Sequence, residues 1–167
     1  MTANLAYKNS TRQWNDDGDL EALTFDIAGE TFALEASIVR EILDIMPETA
    51  VPGARPFVNA VSNFRGKVIP LADIRIALGM ESVANTIDSR IVVVEIELDG
   101  VLSLVGLRTD KVNEVTTLNK SASEPPPRVG MKWRPEFIDC LIKRGGSFIV
   151  FPDLQAIFAS SRRSARD

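Results

Sequence analysis

The sequence predicts a mainly β fold built from two small barrels, and three observations carry that prediction. Apolar residues recur at every second position in short runs, as in Leu23, Phe25 and Ile27, which is the period of a half-buried strand. Turn residues such as Asp99-Gly100 and Gly145-Gly146 break these runs roughly every ten positions, a spacing that suits antiparallel barrels and leaves no room for the crossover helices of a parallel sheet. At 167 residues the chain suffices for one domain of two small lobes, and a chain of this size buries roughly 70% of its unfolded surface.

Each element follows from its residues. Residues 1 to about 19 are polar with Trp14 as the one large apolar anchor, and read as a flexible N-terminal arm. A single domain is expected over 20–158, with lobe one near 20–80 plus the C-terminal helix, lobe two near 90–151, and a flexible tail over 159–167. Within lobe one, Ala28-Gly29-Glu30 turns between two strands, and Glu35 to Arg40 has the composition of one or two helical turns. A second extended segment, Glu41–Met46, follows. Pro52, Gly53 and Pro56 then punctuate a loop, and Phe57–Val61 is a short apolar insert. Leu71, Ile74 and Leu78 fall at helical spacing, with Gly79 as the cap. Residues 80–89 are polar and read as a crossing loop. In lobe two, Ile91–Leu98 and Val101–Leu107 flank Asp99-Gly100, the strongest hairpin signal in the chain. Val115 opens a further strand, and Glu124-Pro125-Pro126-Pro127 is extended because each proline disfavours a helical predecessor. The last hairpin reverses at Gly145-Gly146 and leads to a helix with a Leu154, Ile157, Phe158 stripe, capped by Asp153.

Composition narrows the function. Net charge is −4, which argues against a nucleic-acid partner, since phosphate neutralisation wants a basic face; Arg162, Arg163 and Arg166 read as a frayed end. There is no histidine, so imidazole-based triads and the commonest metal ligand are missing. The single Cys140 lies in an apolar run and packs as a small hydrophobe. No phosphate-binding glycine loop, dinucleotide fingerprint or calcium loop is present, so no cofactor and no metal are expected. No run of apolar residues reaches the length of a membrane span, and the lack of a signal-like N-terminus with a lone cysteine points to the cytoplasm.

One segment stands out. Asn63-Phe64-Arg65-Gly66-Lys67-Val68-Ile69-Pro70 places a guanidinium at a glycine turn between apolar runs, where Gly66 takes the positive φ of a tight reversal and Pro70 limits the strand.

The order Phe25-x-Ile27, Phe32-x-Leu34, Val39-Arg40-Glu41-Ile42, Val51-Pro52-Gly53, Asn63-Phe64-Arg65-Gly66-x-x-x-Pro70-x-x-Asp73-x-Arg75, Val105-Gly106-Leu107-x-x-Asp110-x-Val112-x-Glu114-Val115 and Asp153-Leu154-x-x-Ile157-Phe158 resembles the CheW family of chemotaxis coupling proteins over roughly 22–158. That resemblance implies two intertwined five-stranded SH3-like β-barrels sharing a core, and a non-catalytic adaptor. Its implied partners are a chemoreceptor's cytoplasmic tip and the regulatory domain of a histidine kinase, with membranes reached only through receptors. It also implies a receptor-binding groove between the lobes, lined by Val39, Ile42, Ile91 and Val115 with Glu41 and Arg65 as polar members. Core packing is the competing role for each apolar member, and Glu41 can pair with Arg65. Some residues depart from the family: Ala60 stands where glycine is usual, Pro152 replaces an apolar strand residue, the 98–104 hairpin is long, and Lys132-Trp133-Arg134-Pro135 is an added cationic and aromatic loop. Two other classes stay open on residues alone. One is a small barrel for single-stranded nucleic acid, and the other an enzyme using carboxylates such as Asp73 and Asp110.

Overall fold

The computed structural model describes residues 14–55, 57–127 and 133–163. Among the described residues, twelve strands and two short helices follow in the order β1 (Asp19–Ile27), β2 (Glu30–Glu35), β3 (Val39–Leu43), β4 (Thr49–Arg55), β5 (Val58–Phe64), β6 (Lys67–Ala72), α1 (Ile74–Ala77), β7 (Arg90–Leu98), β8 (Val101–Thr109), β9 (Lys111–Asn119), β10 (Ser123–Glu124), β11 (Ile138–Arg144), β12 (Ser147–Pro152) and α2 (Leu154–Arg163). The fold is mainly β, with two six-stranded sheets ordered β10-β11-β12-β2-β1-β9 and β4-β5-β6-β8-β7-β3. Six strands rather than five arise because the two-residue β10 and the edge strand β4 add to the ends.

The lobe boundaries along the chain need correction. β1 and β2, expected in lobe one, pair instead with β9 and β12, whereas β3 to β8 make the other sheet. The physical reason is that the β1–β2 hairpin is apolar on both faces. Leu20, Ala22 and Ala33 pack with Leu118, Cys140, Ile142, Ile149 and Phe151 inside the first sheet. Leu23, Phe25, Ile27, Phe32 and Leu34 face the other way, into a core shared with Val92, Val94, Ile96, Val105 and Leu107 of the second sheet. β7 has the same two-sided character, because Ile91 and Val93 point into a third cluster with Ala60, Phe64, Ile69 and Leu71. The continuous run Ile91–Val94 is therefore a strand covered on both faces. Trp133 and α2 also enter the shared core, with Trp133 5.5 Å from the Phe32 ring and Phe158 5.7 Å from that of Phe57.

The two halves repeat one another. Replacing β4, β5, β6, β8, β7 and β3 by β10, β11, β12, β2, β1 and β9 turns one sheet order into the other. Details follow the repeat: the Asp73 and Asp153 amides donate to the Phe57 and Phe137 carbonyls at 2.8 Å each, and each aspartate caps the helix after it. Ile74 and Leu154 follow the caps and are both buried.

Several local expectations are revised. Glu35–Arg40 contains only a 3-10 turn, Ala36–Ile38. Pro52 and Gly53 lie within β4, which an edge strand tolerates because its outer N–H groups need no partner; Pro56 is outside the described residues. Pro70 sits inside β6 opposite Val61. Leu71 ends that strand instead of opening the helix, and the strand expected to open at Val115 begins earlier, at Lys111. Trp14, expected in the N-terminal arm, packs against the Leu20 cluster, and residues 1–13 are outside the described set. Residues 159–163, expected in the tail, continue α2. No described helix is long and apolar enough to cross a membrane.

Candidate docking site

Arg65 begins the β5–β6 turn, and both turn residues are left-handed, with φ of 50° at Arg65 and 82° at Gly66. Such a pair is the type I′ reversal whose twist matches flanking strands. A non-glycine residue in this region costs about 1 kcal/mol, which local bonding opposes: Asn63 Oδ1 accepts the Gly66 amide at 3.0 Å. The turn aims Arg65 at β3, at the far end of the sheet order. There its Nε donates to Glu41 Oε2 at 2.9 Å and its Nη2 to Glu41 Oε1 at 2.8 Å. A bond between the β5–β6 turn and the edge strand β3 requires the sheet to curl, so this pair helps close the barrel.

The Arg65 hydrogen bond holds the Glu41 carboxyl below its ordinary value, opposed by burial and helped to a lesser extent by the Arg65 charge. The Arg65 guanidinium is raised by the same bond. It is 71% exposed at the side chain against 30% for Glu41, and its Cζ lies 5.5 Å from the Phe64 ring centroid. Two of five N–H donors serve Glu41, which leaves three on an exposed side chain.

The other expected groove residues fall in different places. Val39 and Ile42 flank Glu41 on β3; Val39 is half-buried against the shared core, while Ile42 is 42% exposed. Ile91 cannot line a surface groove. It is 1% exposed, because its side chain points into the barrel interior and packs with Ala60, Phe64, Ile69 and Leu71. Val115 is 59% exposed but lies on β9, the edge of the other sheet, opposite Leu23. Its neighbour Glu114 meets Arg144 there at 3.4 Å.

That second pair repeats Glu41–Arg65, with Val112, Glu114 and Val115 standing on β9 as Val39, Glu41 and Ile42 stand on β3. Exposed Val68 and Phe148 flank the two hairpin turns in matching positions. The sequence reading missed Arg144, Val68 and Phe148, and the signal that finds them is the internal repeat: Phe57, Asp73 and Val68 recur as Phe137, Asp153 and Phe148 at a constant offset. Trp133 is 8% exposed and belongs to the core, while Arg134 pairs with Glu136 and lies over Phe137.

The carboxylates considered for catalysis have structural partners. Asp73 is 8% exposed and accepts from the Arg75 amide at 3.1 Å. Burial raises its carboxyl above the ordinary value, and Arg75 and Arg108 only partly offset this. Asp110 takes both oxygens to Arg75 Nη2 and accepts the Ala28 amide at 2.8 Å.

The sequence matches the family model for the CheW-like domain over residues 21–162. A chemotaxis protein CheW of Rhizobium meliloti is 28% identical over 149 residues, spanning 89% of this chain and 94% of that protein. One from Bacillus subtilis is 28% identical over 138 residues, covering 81% and 84%. A crystal structure of the scaffolding protein TtCheW from Thermoanaerobacter tengcongensis superposes with a TM-score of 0.74 at 29% identity, covering 83% of this chain and 92% of that one. With the family model spanning most of its length, and with both sheets inside the matched residues, the chain belongs to the CheW-like domain family.

Proposed function

We propose that this chain is a non-catalytic scaffold of a chemotaxis array that joins the cytoplasmic tip of a methyl-accepting chemoreceptor to the regulatory domain of a histidine kinase. It would act at the cytoplasmic face and meet membranes only through the receptor. The observation that carries this reading is the Arg65 guanidinium, fixed by Glu41 beside exposed Ile42 with donors left over. Apolar surface next to an oriented arginine suits protein partners, because desolvation supplies affinity while the donors set register. Such a role asks for surface and not for a reactive group.

The test is Arg65→Ala. Loss of a central arginine is expected to weaken binding to a soluble receptor-hairpin fragment by about 2 kcal/mol, roughly 30-fold. The exposed ion pair contributes only about 0–1 kcal/mol to stability, so the melting temperature should barely move. Unchanged affinity in a folded Arg65→Ala protein overturns the reading.

A further inference from the structure

Arg75 and Asp110 form a polar link between the two sheets. Arg75 lies on α1, directly after β6, and its side chain is 7% exposed. Asp110 stands where the chain leaves β8 of one sheet and enters β9 of the other. Its carboxylate binds Arg75 and also accepts the amide of Ala28, in the β1–β2 turn of the sheet that contains β9. Its own amide donates to the Asp26 carbonyl at 2.9 Å. Among the described residues the other ion pairs stay at home: Arg40–Glu95, Arg65–Glu41, Arg90–Asp44 and Arg108–Glu48 belong to one sheet, Lys143–Glu124 and Arg144–Glu114 to the other, and Arg134–Glu136 to one short segment.

The docking residues themselves are divided in the same way. Glu41, Ile42 and Arg65 ride on one sheet, and Val115 on β9 rides on the other. A partner touching both meets a fixed separation only if the sheets are held together. The shared core is apolar and non-directional, so it resists separation better than sliding, whereas a charge-assisted hydrogen bond from the buried Arg75 Nη2 to a carboxylate that also holds the Ala28 amide is directional. The Arg75 position is not repeated in the second half, where Gln155 follows the Asp153 cap.

We propose that Asp110 is a positioning residue for the docking site: through Arg75 and the Ala28 amide it sets the separation of the β3 and β9 edges and so pre-organises the surface for its partner. This rests on the docking reading. The test uses the full chain with Cys140→Ala and spin labels at Glu97→Cys and Thr117→Cys, one exposed site on each sheet. Pulsed distance measurement should give one narrow distribution, which broadens when Asp110→Asn is added. Affinity for the receptor-hairpin fragment should fall about tenfold in Asp110→Asn. Ile142→Val trims the buried interior of one sheet; it should lower the melting temperature yet leave distance and affinity alone, which separates positioning from mere destabilisation. If Asp110→Asn does not fold, Arg75→Lys keeps the charge but has a shorter side chain that does not reach the carboxylate as Nη2 does, and the same broadening is expected. A narrow distribution with unchanged affinity in the folded variants overturns the proposal. A wild-type chain that does not bind the fragment overturns the docking reading instead, and the distance distribution then still decides whether Asp110 holds the sheets in place.

Discussion

The ends of the two sheets are built from the same parts and differ in where an arginine stands. On one, Arg65 occupies the first left-handed turn position and closes both bonds to Glu41 at 2.8 and 2.9 Å. On the other, the turn is Gly145-Gly146, the arginine is one residue earlier on β11, and Arg144 reaches Glu114 in a single contact of 3.4 Å. The edge glutamates match, so the turn decides how the guanidinium is aimed. A side chain leaving a type I′ turn is carried outward by backbone geometry, whereas one at a strand end must find its partner through its own rotamers. Repetition of the fold therefore supplies two candidate surfaces, and a one-residue shift makes one of them better defined.

The largest effect that separates the halves should come from their interiors. Gly106 on β8 packs so closely that an added Cβ would lie 2.7 Å from Leu71 Cδ2 and 3.0 Å from Ile91 Cγ2. Its counterpart on β2 is Ala33, which already fits a methyl group at 0% exposure. Gly106→Ala is expected to destabilise the protein by about 1–3 kcal/mol through overpacking. The reverse change, Ala33→Gly, should cost only about 0.5–1 kcal/mol through backbone freedom. Urea unfolding of both variants measures the contrast; a neutral Gly106→Ala would mean that the two interiors are packed alike.

A smaller contrast lies at the helix caps. Burial raises the Asp73 carboxyl, opposed by Arg75 and Arg108 and reinforced by Asp110. A folded-state value above the unfolded one gives stability that is complete below the unfolded value, about 3.9, and that is lost as pH rises through the folded one. Asp73→Asn keeps an oxygen for the Arg75 amide and removes the ionisation. Its stability relative to wild type should therefore climb as pH rises from the unfolded carboxylate value through the raised folded one. A flat difference across that window would show that the ionised cap carries no penalty.

Much of this was legible in the residues, and what was not has physical causes. Asp99-Gly100, Gly145-Gly146 and the Asp153 cap declare themselves because local backbone preference decides them. The Arg65 turn was equally local, and Glu41 was a natural partner for it. The interleaving of the sheets was hidden, because a period of two tells which face of β1 is buried and not which sheet covers it. Ala22 and Ala33 lack the bulk that marks a core position in a sequence, yet they bring the second face of the hairpin into a barrel interior. Ile91 is hard to place for a related reason: a β-branched residue in an unbroken apolar run fits a groove wall and a two-sided core equally well, and only the residues packed on its face, Phe64, Ile69 and Leu71, decide. β4 was hidden by Pro52 and Gly53, whose loop preference is overridden at a sheet edge.

The smallest effect is the most direct test of aim. Arg144 and Glu114 are 45% and 60% exposed at the side chain, so their pair should contribute no more than about 0.5 kcal/mol to stability. Arg144→Ala should accordingly leave the melting temperature nearly unchanged. If docking depends on a guanidinium fixed by its turn, Arg144→Ala should also alter affinity for the receptor-hairpin fragment by less than about threefold, against roughly 30-fold for Arg65→Ala. A loss in Arg144→Ala as large as that in Arg65→Ala would show that both ends contact the partner, and the aim of the arginine would then matter less than its presence beside an exposed aliphatic residue, Ile42 on one edge and Val115 on the other.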